Sequence, residues 1–257
     1  MIILAHADQG ALEEMVENVH YFCPDASLYL YNSGLDKSLG ANLSINILPL
    51  SRSLSYAKIT PFFFDVFEYF SQKNIFFDYL INLETDLMFI RKGYEKFIEK
   101  TMADCDYMAP NFVRFISKKS KWRPYRSLRP ELRQWNLLFG FNYVHGAFSP
   151  AQVFSRNYIE KLLTHRNYSE IKYLVRDNKS YTLQEILFPT LVDFLAVRGR
   201  SYPLELKPII RYRPYQAIAG VNRALMLPNG YFVHPVRRRV DDAARLFIKA
   251  MLKIGVK

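Results

Sequence analysis

Two carboxylates separated by one residue, Glu84 and Asp86, close the apolar run Tyr79 to Leu83 in the segment DYLINLETDLMFI. Residues two apart in extended chain point the same way, so both acids face one side. Hard oxygen donors paired like this can hold Mg²⁺ or Mn²⁺ against a diphosphate, with waters completing the octahedron. The ordinary alternative is an acidic turn that caps the following helix. A second acid stands at the head of another apolar run, in YTLQEILFPTL. There Thr182 is placed to N-cap a helix, with Glu185 three residues on completing a capping box.

The elements that must position these residues alternate. Ile2 to Ala5 reads as a strand, and Ala11 to Tyr21 as a helix with Leu12, Met15, Val16 and Val19 on one face. Ser27 to Tyr31 is a strand ending at the turn signal Asn32-Ser33-Gly34, and Ile45 to Leu50 is another. Ala57 to Phe70 is an aromatic-rich helix with Pro61 in its first turns. Tyr79 to Leu83 is a strand, Tyr94 to Met102 a helix and Tyr107 to Pro110 a strand. This alternation predicts an α/β fold, with a mostly parallel central sheet and helices on both faces. The chain is expected to be one domain over residues 1–257. In such sheets ligands bind beyond the carboxyl ends of the strands, so His6 and Asp8 should share a crevice with Glu84 and Asp86. Neither a G-x-G-x-x-G fingerprint nor a Walker loop is present, which disfavours a dinucleotide or ATP site.

Half of the residues are hydrophobic and 16% are aromatic, enough for a large core. The apolar run at the start is too short for a signal peptide, and no stretch reaches the length of a membrane span. Cys23 and Cys105 match no metal or redox spacing, so a reduced, cytoplasmic setting is expected. The net charge of +11 is concentrated. Residues Arg114 to Arg133 hold eight Lys/Arg against Glu131 alone, and Arg237 to Lys257 hold seven against Asp241 and Asp242. Basic stretches with Trp122, Tyr125 and Trp135 interleaved suit nucleic acid or an anionic surface, although no nucleic-acid motif accompanies them. The last segment reads as a basic amphipathic helix, with Arg245, Lys249 and Lys253 among apolar residues that include Ile254.

The apolar strand running into Glu84-x-Asp86, followed by Phe89 and Gly93, resembles the A-type (GT-A) glycosyltransferases, although their usual first acid is Asp. TLQEILFPTL is similar to the acid-bearing helix of the core-two branching N-acetylglucosaminyltransferases and the xylosyltransferases, which implies that Glu185 is the catalytic base. GYFVHPVRRR resembles the segment that binds the donor diphosphate in those enzymes. It offers His234 as a metal ligand beside Glu84 and Asp86, and Arg237 and Arg238 as phosphate clamps in metal-free action. FGFNYVHGAFSP looks like the acceptor-side loop, with Asn142 and His145 orienting hydroxyls.

The resemblance implies a single Rossmann-like domain. Residues 1–110 would bind the nucleotide sugar, 111–236 the acceptor, and 237–257 would form the basic helix. His6, Asp8, Arg52, Arg237 and Arg238 fall on the donor side. The implied reaction moves a sugar from a nucleotide-diphosphate donor, a UDP-sugar foremost, to a hydroxyl of a glycan or lipid-linked acceptor. Glu185 would deprotonate that hydroxyl, with inversion at the anomeric carbon. Mn²⁺ or Mg²⁺ is the expected cofactor, with metal-independent action through Arg237 and Arg238 as the alternative. The expected setting is the inner face of a membrane with an anionic surface. A non-catalytic nucleic-acid-binding protein is the rival reading.

Overall fold

The computed structural model describes residues 1–254, and their side chains as far as Leu252. The chain runs through β1 (Ile2–Ala5), α1 (Gln9–Phe22), β2 (Tyr29–Asn32), β3 (Asn46–Ile47), α2 (Thr60–Gln72), β4 (Tyr79–Glu84), β5 (Met88–Phe89), α3 (Tyr94–Met102) and β6 (Tyr107–Ala109). It continues with α4 (Arg123–Leu128), α5 (Leu132–Phe139), β7 (Val153–Ser155), α6 (Arg156–Leu163), α7 (Tyr168–Asp177), α8 (Gln184–Phe194), β8 (Gly199–Ser201), α9 (Ile218–Met226), β9 (Phe232–Val233) and α10 (Ala243–Ile254). Two compact units result, each assembled from separate stretches of chain. The first holds Met1–Ser53, Ile81–Ala103 and Pro203–Lys257; the second holds Leu54–Leu80 and Asp104–Tyr202.

In the first unit β1 pairs parallel with β2 on one side and with β4 on the other, and β2 pairs parallel with β3. All four residues of β1 are buried, as are Leu80 to Leu83 of β4. Continuous burial of this kind belongs to strands covered on both faces, and the apolar runs of the sequence reflect it. A short antiparallel ribbon stands apart from these strands, with Met88 of β5 opposite Val233 of β9 and Phe89 opposite Phe232. Asn18 on α1 anchors it: its amide donates to the Phe89 carbonyl at 2.8 Å and accepts from the Phe89 N–H at 2.7 Å.

In the second unit β6 pairs parallel with β8 and antiparallel with β7. The pairings are thus mostly parallel, and the fold is α/β as expected. The core here is aromatic: the rings of Phe63 and Phe188 lie 4.7 Å apart, Phe67 and Phe154 5.1 Å, and Phe154 and Phe188 5.3 Å.

Several element bounds move for identifiable reasons. Pro61 occupies the first turn of α2, which starts at Thr60 because Ala57 sits at φ 61° and cannot continue a helix. Asp8 caps α1, its Oδ1 accepting from the Ala11 N–H at 3.0 Å, so that helix begins earlier than its apolar face suggests. The basic stretch after Arg114 contains α4 and α5, and two of its three interleaved aromatics are core residues, Tyr125 and Trp135 being 4% and 1% exposed. These two are not available to stack on bases. The capping box at Thr182 does not form. Thr182 lies at φ 50°, α8 begins at Gln184, and the Thr182 hydroxyl donates to Glu185 Oε2 at 3.4 Å instead of accepting from a backbone N–H.

Candidate active site

The pairing of β1 with β4 sets Leu4 beside Glu84, so His6 and the acidic pair emerge at one edge of the parallel strands. β2 ends at the same edge, where the Ser33 N–H donates to the Ala5 carbonyl at 2.7 Å. Gly34 follows, and a Cβ there would stand 2.1 Å from the His6 carbonyl oxygen, so only glycine lets these two loops close. Arg52 lies exposed between Ser51, whose hydroxyl accepts from the Asn32 N–H, and Ser53, whose hydroxyl donates to the Gly34 carbonyl. Asp8 stands at this edge too, with one oxygen committed to capping α1.

The β5–β9 ribbon delivers the late residues to the acids. Because Met88 faces Val233, the chain before β5 runs beside the chain after β9, and the Val236 N–H donates to the Asp86 carbonyl at 2.7 Å. His234 Nε2 thereby lies 3.4 Å from Asp86 Oδ1. Arg238 reaches both acids, 3.2 Å from Glu84 Oε2 and 3.1 Å from Asp86 Oδ2. Four of the residues singled out in the sequence, Glu84, Asp86, His234 and Arg238, therefore meet in one cluster.

Protonation follows from this geometry. Burial alone would push Asp86 up, but the hydrogen-bonding and charge of His234 and the charge of Arg238 bring it down to about 2. Glu84 moves the opposite way: burial and the neighbouring Asp86 raise it, against the pull of Arg238 and His234. Burial and the positive charge of Arg238 lower His6, with Asp86 opposing, which places His6 within the field of the cluster.

His234 Nδ1 lies 3.0 Å from the Arg211 carbonyl, an oxygen that can only accept, so Nδ1 carries the proton. Nε2 faces the buried Asp86 Oδ1 at 3.4 Å. A histidine whose other nitrogen donates to a carbonyl is the usual second-shell arrangement of a metal ligand. The donor set of carboxylate oxygen and imidazole nitrogen fits Mn²⁺ or Mg²⁺ with further oxygens supplied by waters and phosphate. Among the described residues no group of three or more His, Cys, Asp or Glu is arranged to hold a metal.

One supporting residue was not legible as such. Arg245 on α10 is fully buried; its Nε donates to the Arg237 carbonyl at 2.8 Å, and its guanidinium donates to the Thr85 carbonyl and to Glu14 Oε2 at 3.2 Å. It ties the loop carrying Glu84 and Asp86 to the segment carrying Arg237 and Arg238. Its amphipathic helix was the only signal, and that pattern places arginine outward. Arg237 itself is turned elsewhere, over the Tyr215 ring at 4.8 Å and 3.9 Å from Asp242.

In the second unit, Glu185 is buried and accepts from the Ser149 N–H at 3.2 Å. His145 is 0% exposed; its Nδ1 accepts from the Phe115 N–H at 3.1 Å, and its Nε2 donates to Asp193 at 2.8 Å. Both ring nitrogens are engaged inside the fold, an arrangement that holds a buried turn and leaves neither for a sugar hydroxyl. Asn142 is exposed and lines an open hollow of about 770 Å³ with Arg133, Asn136 and Phe141.

No protein-family model matches the chain, and no curated protein sequence does. Among solved structures, the galactosyltransferase LgtC in complex with donor and acceptor sugar analogs is 11% identical over 99% of this chain and 96% of its own, with a TM-score of 0.48. A glycosyltransferase involved in glycosylation of the major capsid of PBCV-1 is 10% identical over 98% of each chain, with a TM-score of 0.49. Core-mannan synthase A from Aspergillus fumigatus, in its Mn/GDP form, is 9% identical over 78% of this chain and 72% of its own, with a TM-score of 0.37. At these scores the likeness assigns neither activity nor substrate to this chain.

Proposed function

We propose that the protein is a glycosyltransferase that moves a sugar from a nucleotide-diphosphate donor, a UDP-sugar foremost, to an acceptor hydroxyl. The observation that carries this reading is the cluster at the carboxyl edge of β1 and β4, where Asp86 and His234 face each other at 3.4 Å and Arg238 spans both acids. Asp86 and His234 would contribute ligands to Mn²⁺ or Mg²⁺, with Glu84 beside them, and the ion when bound would supply positive charge against the diphosphate. The protein's own contribution is electrostatic. Arg238 offers a planar, permanently charged fork for oxygens that gain charge as the diphosphate leaves. His6 and Arg52, at the same edge, would border the nucleoside. Glu185 is the general base of the scheme, with inversion at the anomeric carbon. That role and the kinship to the core-two branching enzymes rest on short sequence motifs.

A lipid-linked acceptor and an anionic membrane surface belong to the same proposal. Exposed Lys118, Lys119, Lys121, Arg126 and Arg133 support them. A cytoplasmic location at the inner face follows from that proposal. Among the described residues no helix is long and apolar enough to cross a membrane. Nucleic-acid binding is disfavoured, because Tyr125 and Trp135 are buried.

The test is nucleotide release from a panel of nucleotide sugars, followed by NMR. One donor should be turned over by the wild-type protein, and Asp86→Ala should abolish turnover while the circular dichroism and melting profile persist. Loss of activity in EDTA with recovery in Mn²⁺ would support the Asp86–His234 pair as ligands; full activity in EDTA would support Arg238 alone. An Asp86→Ala protein working at the wild-type rate would overturn the assignment.

A further inference from the structure

A second cationic feature in the first unit is left unused by this scheme. A hollow of about 760 Å³ is lined by Arg213, Tyr215, Ala217, Ile218, Arg237 and Asp242 among others. The Tyr215 ring is flanked by two guanidinium groups, Arg213 at 4.1 Å from its centroid and Arg237 at 4.8 Å. Arg213 also donates to the Tyr215 hydroxyl at 2.9 Å and to the Tyr212 carbonyl at 2.8 Å. Two like charges on one ring repel each other. They are held in place by stacking on the ring's negative face, before any ligand arrives. Asp242, the acid in the lining, divides its oxygens: Oδ1 accepts from the Ala244 and Arg245 N–H groups at the start of α10, and Oδ2 lies 3.9 Å from Arg237 Nε, at the outer limit of an ion pair.

The other wall is the start of α9. Its N-cap is Ala217, which has no side chain able to accept, so the first-turn N–H groups lack side-chain partners. Gln216 fixes this wall to the site described above. Its N–H donates to the Pro235 carbonyl at 2.7 Å, and its side-chain amide donates to the Ile209 carbonyl at 3.1 Å and the His234 carbonyl at 3.3 Å. Two preordered guanidinium forks, a phenol and a helix start make a set of donors around one space.

We propose that this hollow binds a phosphoryl group. Guanidinium forks match phosphate oxygens in pairs, and the helix N–H groups add partial positive charge on the remaining side. Within the sugar-transfer reading, on which this part of the inference rests, the ligand is a phosphate carried by the acceptor, so the substrate class is an anionic acceptor. Its source is either a phosphosugar or a lipid phosphate, and the chemistry recognised is the same.

The test is calorimetric titration of the full chain with inorganic phosphate at low salt. Arg213→Gln and Arg237→Gln should each weaken binding roughly tenfold, and the double substitution should abolish it. Asp86→Ala, which disables the proposed transfer centre, should retain it. Glucose 1-phosphate and short-chain phosphatidic acid form the second arm, and whichever binds more tightly than inorganic phosphate names the source. Undetectable binding to the wild-type protein overturns the proposal, as does equal binding by wild type and the double variant. Phosphate bound as expected, with no nucleotide sugar turned over, would remove the transferase reading and leave the anion site standing.

Discussion

Glu84 and Asp86 are alike in chemistry and two residues apart, yet their surroundings drive them in opposite directions. Burial raises both; hydrogen-bonding from His234, added to the charge of His234 and Arg238, brings Asp86 down to about 2, while Glu84, beside the charged Asp86, stays raised. Such a pair titrates as a unit. Arg238 stands where a divalent ion would also find oxygens, so the two cations compete. Arg238→Gln should therefore tighten Mn²⁺ binding about tenfold, read from the electron paramagnetic resonance of free Mn²⁺, while turnover falls. Unchanged Mn²⁺ affinity would show that the arginine does not stand in the ion's place. The acids themselves were legible as a pair at a strand end, although only Glu84 belongs to the strand and Asp86 lies in the turn that the Leu87 N–H closes on the Glu84 carbonyl at 2.9 Å. Their partners were legible as residue types but not as a geometry. Glu185→Gln is the other residue-level expectation. Turnover should fall roughly 10²- to 10⁴-fold with donor affinity kept, since the amide oxygen can still accept from the Ser149 N–H. Unchanged turnover would leave the scheme without its base.

At the scale of elements, the two-residue strands β5 and β9 decide where His234 and Arg238 go, and strands so short leave no periodic trace in sequence. The same limit applies to α10. Its pattern is amphipathic, and its apolar residues Ala244 and Ile248 are buried against the fold as such a pattern implies. Lys253 and Ile254, also counted in that pattern, lie outside the described side chains. Arg245 belongs to the buried stripe because Glu14, its partner, sits 231 residues earlier, a distance across which no local rule operates. Lys249 reaches the same carboxylate at 3.4 Å. Removing Arg245 would leave Glu14 buried with one weaker partner and take the donor from two carbonyls beside the site. Arg245→Met should cost about 3–5 kcal/mol in urea unfolding, and Glu14→Leu on that background should recover part of it. A loss under about 1 kcal/mol, the worth of a surface pair, would mean that the network is not what holds the two segments together.

For the whole molecule, the excess of positive charge was visible at once, and its placement was not. Much of the charge near the end of the chain is compensated within the fold. Arg238 lies on the acids, Arg239 pairs with Asp241 at 2.6 Å, and Arg245 and Lys249 meet Glu14. That segment is a poor candidate for an anionic surface. The stretch after Arg114 differs. Arg114 pairs with Asp193 at 3.3 Å and Arg123 covers Tyr181, but Lys118, Lys119, Lys121, Arg126 and Arg133 are exposed. Each basic residue near an anionic leaflet contributes about 1 kcal/mol, so five give reversible, salt-sensitive attachment. The protein should float with phosphatidylglycerol vesicles at low salt, sediment free of them at high salt, and ignore neutral vesicles. Changing Lys118, Lys119 and Lys121 to Gln should abolish flotation, whereas Lys249→Gln should leave it intact. The opposite pattern would return the membrane contact to α10, and flotation with neutral vesicles would mean that charge is not what brings the protein to lipid.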